Sequence, residues 1–205
     1  MVRRRDQNSE DSRRAILDVA RAAFAEKGYA ATSLEDMVAP AGLTKGALYH
    51  HFDSKAAVLE ALYIAMEEEL VAGVAVAMDR AGDDASAKIA AALDAFLEAS
   101  SEPSYVRIVL RDAPTVLGVT KGRDIDQRLG IGLTESLIGA LVDAGHMPAV
   151  AVPIAARVLL AMVSEVAVTM STSEDPARTR EEGRAVVLAI LDGLRRVAVA
   201  ESESR

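Results

Sequence analysis

The chain has 205 residues, 51% of them hydrophobic but only 3% aromatic, and it contains no cysteine. The lack of cysteine excludes disulfides, iron–sulfur clusters, thiolate zinc sites and cysteine nucleophiles. Apolar content carried by Ala, Val and Leu favours helix packing over a β-sandwich. The net charge of −8 is uneven: residues 1–55 hold nine Lys/Arg against eight Asp/Glu (+1), and residues 56–205 hold fourteen against twenty-three (−9). Only the N-terminal quarter is not strongly repelled by a polyanion.

The opening MVRRRDQNSEDSRR is charged and leads into no apolar stretch, so it does not read as a signal peptide. Arg3, Arg4 and Arg5 fit either a frayed tail or an arm reaching DNA. Arg13 and Arg14 read as solvated surface, with one of them able to reach a phosphate. From Ser12 to Gly28, apolar Ile16, Val19, Ala20, Ala23 and Phe24 recur on one helical face, and Gly28 suits the position after a helix end. Thr32-Ser33-Leu34-Glu35 has capping-box spacing and predicts a short second helix, ended by Pro40 and Gly42. Thr44 is a natural cap for about two turns over Lys45 to His51. Leu48 and Phe52, four apart, are expected in the core.

A long helix follows, Lys55 to Arg80. Asp83-Asp84 opens the next, and Glu102-Pro103 another over Ser104 to Asp112, ended or kinked at Ala113-Pro114. Thr115 to Lys121 reads as a connection, Arg123 to Ala144 as a helix closed by Gly145, and Pro176 to Val199 as the last helix. Ala149 to Met170 is apolar nearly all round. Pro153, Arg157, Ser164 and Glu165 interrupt it, and the Arg and Glu would cost roughly 5–7 kcal/mol in a bilayer, so it reads as a buried helix. A helix apolar on every side can turn one side to its own domain and the other to a second copy, or lie buried at the centre of a monomer. Paired with the last helix, it would build a four-helix interface from Val158, Met162, Val166, Val187, Ile190, Leu191 and Leu194. Glu165, inside the apolar run, is expected to be buried and in need of a partner. No strand pattern or repeat appears, and the expectation is an all-α chain of about nine helices.

LTKGALYHHFDSK, residues 43–55, is the compact basic stretch. A short helix, a turn with Gly42 and a second short helix make a helix-turn-helix, whose second helix enters the major groove. Thr44 can cap or touch a phosphate, Lys45 supplies charge, and Gly46 and Ala47 allow close approach. Tyr49 offers a hydroxyl and a ring, and Lys55 sits in the first turn of the next helix, where a phosphate is favoured. At least one of His50 and His51 is expected to touch phosphate. Adjacent on a helix and about 100° apart, they are poorly placed to chelate one ion, and His146 is the only other histidine. No metal, cofactor or catalytic motif is expected: there is no G-x-S-x-G, no H-E-x-x-H and no Gly-rich phosphate loop.

ATSLEDMVAPAGLTKGALYHHFDSK, residues 31–55, resembles the DNA-binding domain of TetR-family transcriptional regulators, the similarity running from Arg13 to Leu62. Thr32 and Ser33 join the expected DNA contacts. Pro40 departs from the family pattern, which has a helix-compatible polar residue there, and Val38 stands where Ala is usual. RIVLRDAPTVLG (107–118) and EDPARTREEGRAVVLAILDGLR (174–195) resemble one subgroup's ligand and dimer domain. The resemblance implies a cytoplasmic homodimer, a palindromic operator and a small-molecule effector that releases DNA. It also implies a helix-turn-helix domain over 1–55 and a larger helical ligand-binding and dimerisation domain over 56–205. Tyr63, Met66, Phe96, Tyr105, Arg111, Val116, Leu117, Met162 and Glu165 are candidates for lining the effector site. The rival expectation is a helical ligand-binding or scaffold dimer that no longer binds DNA.

Overall fold

The computed structural model describes residues 2–145, 147 and 152–203, with side-chain surroundings for 9–145, 147 and 152–193. His146 lies outside the former range; the side chains of Arg3, Arg4, Arg5 and Leu194 lie outside the latter. All the regular structure among the described residues is helical: α1 (Val2–Lys27), a 3-10 turn (Ala39–Ala41), α2 (Lys45–His51), α3 (Lys55–Arg80), α4 (Ala85–Ser101), α5 (Pro103–Tyr105), a π-helical stretch (Val106–Asp112), α6 (Ala113–Leu117), α7 (Val119–Asp143), α8 (Val152–Thr172) and α9 (Pro176–Glu203). The chain forms two compact units. One joins everything up to Met66 with Glu102–Gly122, and the other joins Glu67–Ser101 with the chain from Arg123 onward.

In the first unit α1 buries Ile16, Ala20 and Phe24 completely, the face that the apolar spacing marks out. The helix starts at Val2, well before Ser12. Gly28 closes it at φ +78°, its amide donating to the Phe24 carbonyl at 2.8 Å.

The second helix differs from expectation. Residues 34–38 are successive turns, and only Ala39–Ala41 is regular, as a 3-10 turn. Pro40 is the reason: it has no amide to donate, and its ring crowds the carbonyl four residues back. The amides of Met37, Val38, Ala41 and Gly42 therefore reach three residues back. Val38 itself is buried.

Pro114 acts in the same way further along. Upstream of it the helix widens, with the Ala113 amide bonding five residues back to Ile108. The sequence predicts a helix end or connection at 113–121. Instead the chain stays helical to Leu117, breaks at Gly118 alone and resumes at Val119.

That segment also covers the end of α1. The Asp112 carboxylate accepts the Tyr29 amide at 2.7 Å, and the Arg107 guanidinium reaches the Lys27 carbonyl at 3.4 Å and Asp112 at 3.6 Å. Ile108, Val109 and Ala113 of this segment are buried.

In the second unit Asp84 caps α4 through the Ala87 amide and Asp175 caps α9 through that of Arg178. α4, α8 and α9 pack on one another. Arg184 on α9 makes two hydrogen bonds to Asp94 on α4, at 2.5 and 3.0 Å, and Arg180 pairs with Glu98. α8 is long and apolar enough to cross a membrane by length and composition. It is not buried on both sides within the single chain: Ile154 and Val158 are 59% and 61% exposed.

Gly28 supports a direct stability test. A Cβ there would lie 2.0 Å from the Arg107 guanidinium, on a backbone that already requires φ +78°. Gly42 has φ +65° but nothing within 4 Å. We expect Gly28→Ala to destabilise by about 1–2 kcal/mol from the left-handed backbone alone, with a further loss as Arg107 is displaced, and Gly42→Ala to show only the backbone part. Thermal unfolding of both variants checks this, and equal losses would contradict it.

Candidate nucleic-acid interface

The interface is built on α2. Thr44 takes extended dihedrals (φ −108°, ψ 160°) and its hydroxyl oxygen accepts the Ala47 amide at 3.2 Å, which caps the helix. Leu48 is fully buried and Phe52 nearly so, as their spacing implies. These two anchors fix the rotation of α2. Lys45, Gly46, Tyr49 and His50 are consequently turned outward, and Tyr49 is 53% exposed, unusual for a large aromatic. A Cβ at Gly46 would meet nothing nearer than the Thr44 hydroxyl at 3.7 Å. No contact within the described residues demands glycine here.

Lys45 is not free in this state: its ammonium lies 3.1 Å from the Glu35 carboxylate. The turn that presents Glu35 is held by Ser33 and Asp36. Asp36 accepts the Ser33 amide and hydroxyl at 2.8 and 2.7 Å and takes the Lys27 ammonium at 2.7 Å. The Lys27 hydrogen bond, helped by Ser33, holds the Asp36 carboxyl well below the usual carboxylate range.

Two expected DNA contacts are placed differently. Thr32 is buried, its hydroxyl 2.8 Å from the Gly28 carbonyl and 3.2 Å from that of Ala23. The hydroxyl finishes α1 instead of opening the next segment. Ser33, one residue on, does the capping, its oxygen accepting the Asp36 amide at 3.2 Å. Lys55 is also turned inward: its ammonium donates to the Thr32 carbonyl at 2.6 Å and sits 4.2 Å from the centre of the Tyr29 ring. It braces α3 against the end of α1. Arg13, read as solvated surface, lies 5.3 Å from the Phe52 ring centre.

The effector-site candidates divide between the units. Tyr63, Met66, Tyr105, Arg111, Val116 and Leu117 fall in the first, and Phe96, Met162 and Glu165 in the second. Tyr63, Met66 and Tyr105 are buried, and the Tyr63 hydroxyl donates to the Gly122 carbonyl at 3.4 Å. Glu165 is not buried within the single chain: it is exposed on the outer face of α8. A cleft of about 480 Å³ lies elsewhere, between Asp18–Lys27 of α1 and Glu35–Pro40, and none of these candidates lines it.

The dimer candidates also separate. Val158 and Ile190 are outward, the latter 46% exposed, whereas Val187 is buried and Val166 lies against Gly183, where a Cβ would be only 2.4 Å away. The apolar outer face includes Ile154, Val168 and Val186, which sequence reading missed. A strict tracking of the 3.6-residue period along α8 and α9 would have found them.

His51 supplies a pH test. Burial, then the neighbouring His50 and Arg13, push its pKa below the ordinary 6.5. The folded state therefore binds this proton less well than the unfolded state. Stability from this group is full above about pH 6.5 and is lost as pH falls through the lowered folded value. His51→Gln is expected to unfold at a temperature that drops less than wild type between about pH 7 and pH 5. Parallel profiles would contradict this.

Residues 16–62 match the family model for bacterial regulatory proteins of the tetR family, and residues 86–194 match that for the tetracyclin repressor-like C-terminal domain. The HTH-type transcriptional regulator TtgR of Pseudomonas putida is 40% identical over 68 residues, 33% of this chain and 32% of that protein. The HTH-type transcriptional repressor KstR2 of Rhodococcus jostii is 43% identical over 56 residues, 27% and 28% of the two chains. These matches span about a third or less of the curated relatives. The crystal structure of a TetR-family transcriptional regulator from Pectobacterium atrosepticum is similar over 92% of this chain and 96% of its own, at 32% identity and a TM-score of 0.81. Matched by family models in both halves and similar to that regulator over nearly all of its length, the chain belongs to the TetR family of transcriptional regulators.

Proposed function

We propose that this protein is a cytoplasmic transcriptional repressor that binds a palindromic operator as a homodimer and is released by a small-molecule effector. The outward row Lys45, Gly46, Tyr49 and His50, set by the burial of Leu48 and Phe52, carries the DNA-binding reading. It pairs a phosphate-seeking charge with a small residue and an aromatic that can meet a base edge. The helix-turn-helix function belongs to residues 1–55 and the ligand-binding and dimer function to 56–205. Family membership supports both assignments.

The α8 and α9 outer face is the dimer surface in this reading. Ile154, Val158, Val186 and Ile190 are each 46–61% exposed in the single chain, and a second copy would remove them from water. The effector must bind the released state better than the DNA-bound one, since otherwise it shifts nothing. Glu102–Gly122 suits transmission: it lies between α4 and α7 in the chain yet closes on the end of α1 through Asp112 and Arg107.

Fluorescence anisotropy with the DNA upstream of the protein's own gene, against scrambled DNA over a salt series, tests the DNA reading. Selective binding that weakens with salt is expected. Lys45→Ala should reduce the salt slope by up to about 0.9, and Tyr49→Ala should cost about 1–3 kcal/mol on the selected DNA. Equal weak binding to both DNAs, unmoved by either substitution, would favour the rival scaffold or ligand-binding dimer. Sedimentation tests the dimer. Wild type should run at twice its 21.6 kDa, and Val158→Glu with Ile190→Glu should give the monomer. A monomeric wild type would overturn the interface.

A further inference from the structure

We infer that Glu35 is an internal competitor for DNA phosphate that sets the affinity of the reading surface by occupying Lys45. The inference rests on the DNA-binding reading and adds a residue to it. Two lysines lie in the 43–55 stretch. Lys55 is spent on the Thr32 carbonyl and the Tyr29 ring, which leaves Lys45 as the lysine there whose ammonium can turn to a phosphate. It meets the Glu35 carboxylate at 3.1 Å, with both side chains more than half exposed, at 55% and 63%.

The pair is not a by-product of helix periodicity, for the partners are ten positions apart, Glu35 in the turns before Ala39 and Lys45 at the start of α2. Glu35 is presented by a turn that Pro40 keeps out of the α-helix and that Ser33, Asp36 and Lys27 fasten to α1. The carboxylate is thus held beside α2 by a built turn.

An exposed pair of this kind adds little to stability. Its consequence lies in binding. A phosphate that takes Lys45 must displace a carboxylate of similar charge, and the displaced carboxylate then faces the DNA backbone. The exchange of one ion pair for another releases few counterions, so Lys45 contributes less affinity and less salt dependence than an unpaired lysine. A regulator that must let go on effector binding gains from such restraint, because the effector then has less binding free energy to overcome.

The test is anisotropy on one random-sequence 30-base-pair duplex over a salt series, with wild type, Glu35→Gln, Lys45→Ala and the double variant. Glu35→Gln should bind about threefold tighter at low salt, with a salt slope steeper by up to about 0.9. The gain should vanish in the Lys45→Ala background. A gain that survives there would mean that Glu35 repels DNA without acting through Lys45, and would overturn the inference. So would unchanged or weaker binding by Glu35→Gln, the latter meaning that the pair orients Lys45 for DNA. If wild type does not hold this duplex at any salt, the same four proteins on the DNA upstream of the protein's own gene decide between these outcomes, and absence of binding there too would remove the DNA reading itself, a result distinct from the other two.

Discussion

The reading unit hangs on the buried hydrogen bonds of Thr32. Its hydroxyl closes the end of α1 on the carbonyls of Gly28 and Ala23, and its own carbonyl takes the Lys55 ammonium from α3. A helix end leaves carbonyls without partners, and in an apolar setting each must be satisfied. One residue meets that need and ties two helices together. Arg107 and Asp112 complete the junction, on the Lys27 carbonyl and the Tyr29 amide. With α1 and α3 fixed there, Leu48 and Phe52 have a defined surface to bury against, and the exposed face of α2 follows from their burial.

Charge is distributed to the same end. All of the acidic excess lies beyond residue 55. Within the first 55 residues the lysines are occupied: Lys27 by Asp36, Lys45 by Glu35, and Lys55 by a carbonyl and a ring. On the proposed function, such occupied lysines add less nonspecific attraction than free ones, and Tyr49 and Gly46 would add contacts that depend on the bases.

Much of this is legible in the sequence. Period-3.6 spacing marks the α1 face, the Leu48 and Phe52 anchors and the Thr44 cap, because those features depend on neighbours three or four residues apart. Thr32 misleads for a related reason. A threonine three residues before a glutamate satisfies the local capping rule, but its hydroxyl finds carbonyls behind it, and Ser33 with Asp36 caps the turn instead. Lys55 looks like a free cation because its partners, Thr32 and Tyr29, are distant in sequence. The return of residues 102–122 to α1 leaves no local signal at all, since its contacts span some eighty positions. Glu165 has apolar neighbours in the sequence, and only the structure shows that it lies on the outer α8 face of the single chain.

On the proposed function, two copies of the α2 face meet one DNA site. Selection of bound fragments from the whole genome of the source organism, followed by footprinting of the enriched ones, tests it most directly. We expect a shared inverted repeat with half-site centres about one helical turn, roughly 34 Å, apart, and protection lost in Tyr49→Ala. Enrichment without a common motif, or protection that survives Tyr49→Ala, would contradict it.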